Sequence, residues 1–176
     1  MIGSTNQNYE DDAREMAERR NAVMRIESSR LLLYPIGDAE MAALIENESD
    51  AELKKAYGEM LQGCLREPEN RLWYALWLIE LKERPGCVVG DLCFKGLNAD
   101  GMVEIGYGLR EGCCGRGYMR EAVKALSAWA LKQPGVSRVE AETDPDNIPS
   151  QKVLAACGFL PTGTRGEEGP RFVLKA

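Results

Sequence analysis

The densest chemical potential in the chain lies in the stretch Gly106-Tyr-Gly-Leu-Arg-Glu-Gly-Cys-Cys-Gly-Arg-Gly-Tyr118. It leaves an apolar, strand-like run, turns through glycines and opens a helix. Such a junction exposes unpaired backbone N–H groups at the positive end of a helix dipole. Phosphate binds there without needing a lysine. Gly115 and Gly117 allow a ligand to approach the backbone closely, and Arg116 can add a charge-assisted contact. Two better-known phosphate loops are excluded. No Gly-Lys-Ser/Thr follows, as a Walker loop requires, and Glu111 stands where a dinucleotide fingerprint would place its third glycine. The spacing from Gly112 to Gly117 is G-x-x-G-x-G. Taken alone, it fits a plain turn as well as it fits a phosphate loop.

The composition limits what other chemistry can accompany that loop. The chain has 176 residues and no histidine. This removes Ser-His-Asp and Cys-His catalysis, imidazole bases and His-ligated metal sites. Acid and base work falls to Glu, Asp, Tyr, Ser, Cys, Lys or water. A net charge of −6 argues against nucleic acid as a partner and suits a cationic substrate such as an amine. The six cysteines form no C-x-x-C pair, so neither a metal site nor a disulfide framework is indicated, and reduced thiols are expected. No apolar run reaches bilayer length, and the polar start (Tyr9, Glu10, Asp11, Asp12) is unlike a secretory signal. The sequence therefore predicts a soluble, cytoplasmic protein that does not engage membranes.

The elements that must position the loop are legible from periodicity. Residues 1–24 read as a charged extension, either a short helix or a disordered tail, and 25–176 as a single domain. Leu31–Tyr34 is a first strand, limited by Pro35. Asp38 is placed as the cap of a short helix, and Asp50 as the cap of a second running to about Leu65. In that second helix Leu53, Tyr57, Met60, Leu61 and Cys64 share one apolar face. Trp73–Leu81, Cys87–Phe94 and Met102–Leu109 make an antiparallel meander around turns at 83–86 and 98–101. Gly115–Gln133 is a helix with Met119, Ala122, Val123, Leu126, Trp129 and Ala130 inward. Arg138–Thr143 is a strand. Asn147 caps a helix to Cys157, with Pro149 in its first turn, and two strands close the chain. This order predicts an α/β (α+β) fold: a mixed, mostly antiparallel sheet of six to seven strands with helices on both faces.

Four segments together resemble the GCN5-related N-acetyltransferases, and within them the ribosomal-protein N-terminal acetyltransferase-like (RimJ/RimL-type) subgroup. They are Ile26–Ile36, Glu104–Tyr107, Gly115–Ala122, and Asp146-Asn-x-x-Ser-x-x-Val-Leu-x-x-x-Gly-Phe159. The loop is similar to the family's Gln/Arg-x-x-Gly-x-Gly/Ala pyrophosphate loop, with Gly112 at the position of the Gln or Arg. The resemblance implies the GNAT fold, acetyl-CoA as co-substrate without a metal, and transfer of acetyl to a primary amine by direct attack. That amine belongs to a protein N-terminus or a small molecule. A catalytically inactive, CoA-binding regulatory or interaction domain is the alternative. Dimers are common in the family, which leaves a homodimer open.

The resemblance also implies where the parts lie. Coenzyme contacts fall to Leu109, Gly112, Cys114, Gly115, Arg116, Gly117 and Tyr118 along the loop, and to Tyr107, Asn147 and Ser150 beside the pantetheine arm. The strands 102–109 and 138–143 splay apart to admit that arm. A backbone N–H near Tyr107 or Gly108 faces the thioester oxygen. Glu104 is the expected base, directly or through water, although a solvated or amine-binding Glu fits the position too. Ser150 is the expected acid toward the leaving thiolate, although a first-turn Ser that satisfies the helix end is equally natural there. The acceptor-choosing residues are expected in the early helices (38–65) and the 163–171 turn.

Overall fold

The computed structural model describes residues 24–175. The expected extension at 1–24 lies outside the described residues except for Met24. A single sheet organises the described residues, with strands β1 (Ile26–Glu27), β2 (Leu31–Pro35), β3 (Leu76–Leu81), β4 (Val88–Leu97), β5 (Met102–Leu109), β6 (Arg138–Glu142), β7 (Leu160–Arg165) and β8 (Pro170–Lys175). Their spatial order is β1-β2-β3-β4-β5-β6-β8-β7, and every neighbouring pair is antiparallel except β5 with β6. The sheet thus has eight strands rather than six or seven. The additional one is β1, too short to show any alternation.

Among the described residues, four α-helices cover the two faces: α1 (Asp38–Asn47), α2 (Ala51–Arg66), α3 (Tyr118–Ala130) and α4 (Ile148–Ala156). The alternation of side chains along the strands divides the core in two. Leu31, Leu33, Trp77, Ile79, Leu92, Phe94, Val103 and Ile105 turn toward α3 and α4, where Met119, Ala122, Val123, Leu126 and Leu154 meet them. Tyr34, Ile36 and Leu76 turn the other way, toward Met41 of α1 and Cys64 of α2. Trp73, Trp77, Phe94 and Trp129 pack as an aromatic group in the first of these cores, with Trp77 and Trp129 centroids 5.1 Å apart. The tryptophans are therefore structural.

Several boundaries differ from expectation for identifiable reasons. Pro68 opens a 3-10 turn that runs to Trp73, so β3 begins at Leu76 and not at Trp73. Tyr74 is drawn against α2, where its ring comes so near Gly63 that a side chain there would collide with it. The cap of α1 is Gly37, whose N–H donates to the Glu40 carboxylate at 3.0 Å. Asp38 instead accepts from Arg71 at 2.6 Å. Asp50 caps α2 as expected, accepting from the N–H groups of Glu52 and Leu53, a feature worth about 1 kcal/mol. Helix α3 starts only at Tyr118, because Gly115 and Gly117 hold φ values of 77° and 76° that a right-handed helix cannot contain. Leu53, expected on the apolar face of α2, is 46% exposed.

Candidate functional site

The Gly-rich segment folds into a cradle of backbone donors. Gly112, Gly115 and Gly117 all adopt left-handed φ, and the loop turns tightly enough for the Cys113 N–H to donate to the Arg110 carbonyl at 3.1 Å. The first N–H of α3 with a main-chain acceptor is that of Glu121, to Gly117 at 3.2 Å. Among the described residues, the N–H groups from Cys114 to Arg120 have no backbone carbonyl partner. They are the orphan donors of a helix start, extended upstream by the turn. Gly115 has nothing within 4 Å of where a Cβ would stand, so the cradle is open at its centre. Tyr118 is buried beneath Arg30, whose guanidinium lies 4.8 Å from the ring centroid, and it offers the loop only its backbone.

A clamp that sequence reasoning missed fixes this loop from the β1–β2 turn. The Glu121 carboxylate accepts from the Arg30 N–H, from Arg30 Nε and from Ser28 Oγ, each at 2.7 Å. Burial pushes the Glu121 carboxyl up, but the bonds from Arg30 and Ser28 outweigh it and hold the group below its ordinary range. A further N–H of the same guanidinium donates to the Arg116 carbonyl at 3.0 Å. A peptide unit is planar and trans, so fixing the Arg116 C=O fixes the Gly117 N–H in the opposite direction. The clamp thereby orients one of the cradle's donors.

The second part of the site is a split in the sheet. β5 pairs with β6 only at Met102, Val103 and Glu104, and the next five residues of β5 have no ladder partner on that side. β6 ends at Glu142 and the chain swings away to α4. A cavity of about 540 Å³ fills the split. It is lined by Glu104, Gly106 and Tyr107 on one bank and by Thr143, Asn147 and Ser150 on the other. Asn147 caps α4 by accepting from the Ser150 N–H at 3.1 Å. The Ser150 hydroxyl is thus released from capping, and its Oγ lies 2.9 Å from the Tyr107 hydroxyl, closing a bridge across the gap. Burial raises the Tyr107 pKa, partly offset by the bond to Ser150, so the phenol stays protonated at neutral pH.

Glu104 lies on the same cavity wall, 14% exposed, with an unexpected partner: its carboxylate is 2.5 Å from Lys95 Nζ. Glu168, from the turn between β7 and β8, reaches the same ammonium at 3.0 Å. Burial alone would lower the Lys95 pKa. The hydrogen bonds to Glu104 and Glu168 prevail and raise it, so Lys95 is an ammonium throughout the physiological range. The pairing was accessible in principle, since a hairpin folded about Ala99 and Asp100 brings residues 95 and 104 together. Among the described residues no cluster suited to a metal ion occurs, all six cysteines are free, and no helix is long and apolar enough to cross a membrane.

Comparison with known proteins places the chain in a family. Residues 9–160 match the acetyltransferase (GNAT) domain family. The chain belongs to the GNAT acetyltransferases. It is 36% identical over 84 residues to YjdG, an uncharacterized N-acetyltransferase of Bacillus subtilis, covering 48% of this chain and 50% of YjdG. A second relative, the uncharacterized N-acetyltransferase p20 of Bacillus licheniformis, is 34% identical over 43% of each chain, so the chain spans about half the length of these two relatives. YnaD of Bacillus subtilis, also an uncharacterized N-acetyltransferase, is 24% identical over 80% of this chain and 85% of its own. Among solved structures, the fold resembles RimL, a ribosomal L7/L12 alpha-N-protein acetyltransferase in complex with coenzyme A (TM-score 0.67, 18% identity, covering 86% of this chain and 98% of that one). It also resembles an acetyltransferase from Agrobacterium tumefaciens (TM-score 0.66, 21% identity, covering 88% and 95%).

The residues present fit the coenzyme of this GNAT fold. The open cradle of unpaired N–H groups suits a diphosphate, and the split between β5 and β6 leaves main-chain groups of β5 unpaired along one bank. The expected loop residues Gly112, Cys114, Gly115, Arg116, Gly117 and the Tyr118 backbone lie together at the start of α3. Tyr107, Asn147 and Ser150 line the gap and Glu104 stands at its closed end, while Leu109, at the end of β5, lines the concavity on the α1–α2 side.

Proposed function

We propose that the protein transfers an acetyl group from acetyl-coenzyme A to a primary amine by direct attack. The observation that carries this reading is the row of unpartnered N–H groups from Cys114 to Arg120, set at the mouth of the β5–β6 split. In this reading those amides and Arg116 hold the diphosphate, and Leu109, Tyr107 and Asn147 border the arm that carries the thioester. Acetyl-CoA supplies the activated acyl group. The chain supplies orientation, an acceptor for the amine's proton and a donor for the departing sulfur.

The Tyr107–Ser150 hydroxyl pair is the donor. A neutral phenol that shares a hydrogen bond with a serine can pass a proton toward a thiolate and recover it from the partner. Glu104 is the group that meets the amine. Its carboxylate lines the cavity and already holds one ammonium, that of Lys95, through an ion pair. Glu104 therefore acts first as an ammonium-binding carboxylate, and proton removal passes through water. The same pair is what favours the second reading, a CoA-binding domain without turnover. Kinship with the RimJ/RimL-type subgroup is part of the proposal, resting on the fold likeness to RimL.

The test is release of free CoA thiol from acetyl-CoA in the presence of a panel of amines, including ribosomal-protein N-terminal peptides and small aliphatic amines. Turnover on one class is the expected result. Tight CoA binding with no turnover on any amine selects the second reading, and failure to bind CoA overturns both.

A further inference from the structure

A second concavity lies on the sheet face beneath α1 and α2, and the roles assigned above do not use it. Alternation along β4 and β5 sends Leu92, Phe94, Val103 and Ile105 into the core on the α3 side. Asp91 and Cys93 therefore face the other way, and register sets them opposite Gly108 and Gly106 of β5. Gly108 has nothing within 4 Å of where a Cβ would stand. The space over this strand opens into a cavity of about 640 Å³ between the sheet and the two helices. Leu44 of α1, Leu53 and Tyr57 of α2 and Leu78 of β3 form its apolar walls, and Asp91 stands on its floor.

Two features of the cavity suit an occupant. Leu53 sits on the apolar stripe of α2 yet is 46% exposed, because it looks into this space and not into the core. Asp91 is half-buried on the cavity floor, and among the described residues no hydrogen bond or ion pair reaches its carboxylate, with Arg110 acting on it only through the longer-range field. A partly desolvated carboxylate with no protein partner, facing an apolar-walled cavity, is a ready anchor for a cationic ligand group.

We infer that this cavity seats the body of the acceptor: an amine whose apolar stem lies along Leu44, Leu53 and Leu78, and whose second cationic group is held by Asp91. The inference rests on the acetyl-transfer reading and names the substrate class for it. Position supports the acceptor as occupant. Gly108 belongs both to this cavity and to the strand that borders the split, and the residue before it, Tyr107, lines the split, so a molecule lying here can extend its other amine past Gly108 toward the thioester arm. Charge supports a cation, since Asp91 and Glu48 outnumber Arg110 among the lining residues. The groups facing Asp91 are Tyr57 from α2, Glu48 beyond α1, Arg110 after β5 and Cys93 on its own strand. Burial holds both Tyr57 (raised to about 12) and Cys93 (raised to about 11) neutral. Burial also raises Asp91 to about 6, with Arg110 opposing. A cation binds the ionised carboxylate, so its affinity should fall about tenfold for each pH unit below that value.

The experiment is calorimetric titration of the full chain with 1,6-diaminohexane, hexylamine and 6-aminohexanoate, at pH 7.5 and 5, for the native protein, Asp91→Asn and Leu53→Arg, with CoA binding measured in parallel. The diamine is expected to bind the native protein at least tenfold more tightly than hexylamine. Asp91→Asn should erase that difference and the pH dependence while leaving CoA affinity unchanged. Leu53→Arg, at an exposed position that tolerates charge, should weaken both amines. Equal binding of the two amines by the native protein, or an unchanged preference in Asp91→Asn, overturns the inference. So does tighter binding of 6-aminohexanoate than of the diamine, which would make Arg110 the anchor. Loss of CoA binding in the native protein would instead strike the acetyl-transfer reading, so the two failures are separable.

Discussion

Replacing Arg30 by lysine separates two tasks that its guanidinium performs at once. In the native protein Nε serves Glu121 at 2.7 Å while another N–H serves the Arg116 carbonyl at 3.0 Å. Lysine keeps a positive charge near Glu121 and Tyr118, but a single ammonium on a flexible stem does not reproduce the fork. The bond lost is the one to Arg116. A hydrogen bond from a charged donor contributes roughly 1.5–3 kcal/mol when shielded. The Arg30 side chain is 45% exposed, so water replaces part of it and about 1 kcal/mol remains. That energy now orients the Gly117 N–H, and its loss should weaken CoA binding about fivefold. Stability should be nearly unchanged, because Glu121 retains the Arg30 N–H and Ser28. Arg30→Ala removes both arms and should also lower Tm by about 2–4 °C. The assay is calorimetric titration with CoA, paired with thermal melts. Native affinity in Arg30→Lys beside weakened binding in Arg30→Ala would show that charge at Glu121, and not the bridge to Arg116, is what matters. Native affinity in both would refute the reasoning altogether.

Three other outcomes follow from the same geometry. Gly115→Glu places a carboxylate in open space at a left-handed φ of 77°, so it should fold with a penalty of about 1–2 kcal/mol yet lose CoA binding at least a hundredfold by titration. Tyr107→Phe and Ser150→Ala should each lower kcat by about tenfold or more with little change in KM for acetyl-CoA, and the double variant should cost less than the product of the two, because the hydroxyls act as a pair. Glu104→Gln should raise KM for the amine more than it lowers kcat, and an effect confined to kcat would restore Glu104 as the base.

The sequence made the frame of the site readable because its signals are local. The G-x-x-G-x-G turn, the Asn147 cap and the period-two run 102–109 each depend on residues near one another, and each lies where expected. The elements that slipped were set from a distance. Tyr74 was read as strand from its own propensity, but packing on Gly63 decides its place. The sequence offers Glu104 as a base, a solvated Glu or an amine-binding one, and carries no sign of its ion pair with Lys95, which forms across a hairpin and is shared with Glu168 from a distant turn. The Ser28–Arg30–Glu121 clamp spans more than 90 positions and carries no periodic signature. Asp91 carries no signal of its own, because an isolated Asp in a strand resembles a solvated one until the helices above it are in place.

β5 explains why so much chemistry gathers on one strand. Its odd-numbered side chains, Val103 and Ile105, are buried against α3 and α4 and fix its height in the sheet. One edge is bonded to β4 over most of its length, which fixes its direction. The remaining surface is the edge beyond Glu104 and the face that carries Gly106, packed on Cys93 Sγ, and Gly108, which is open. Glycine within a strand forgoes packing and costs conformational entropy. Here that loss falls on the one face where a larger side chain would occupy the path between the two cavities. A strand held by two of its sides can leave the other two bare, and bare strand is what a thioester arm and an incoming amine both require.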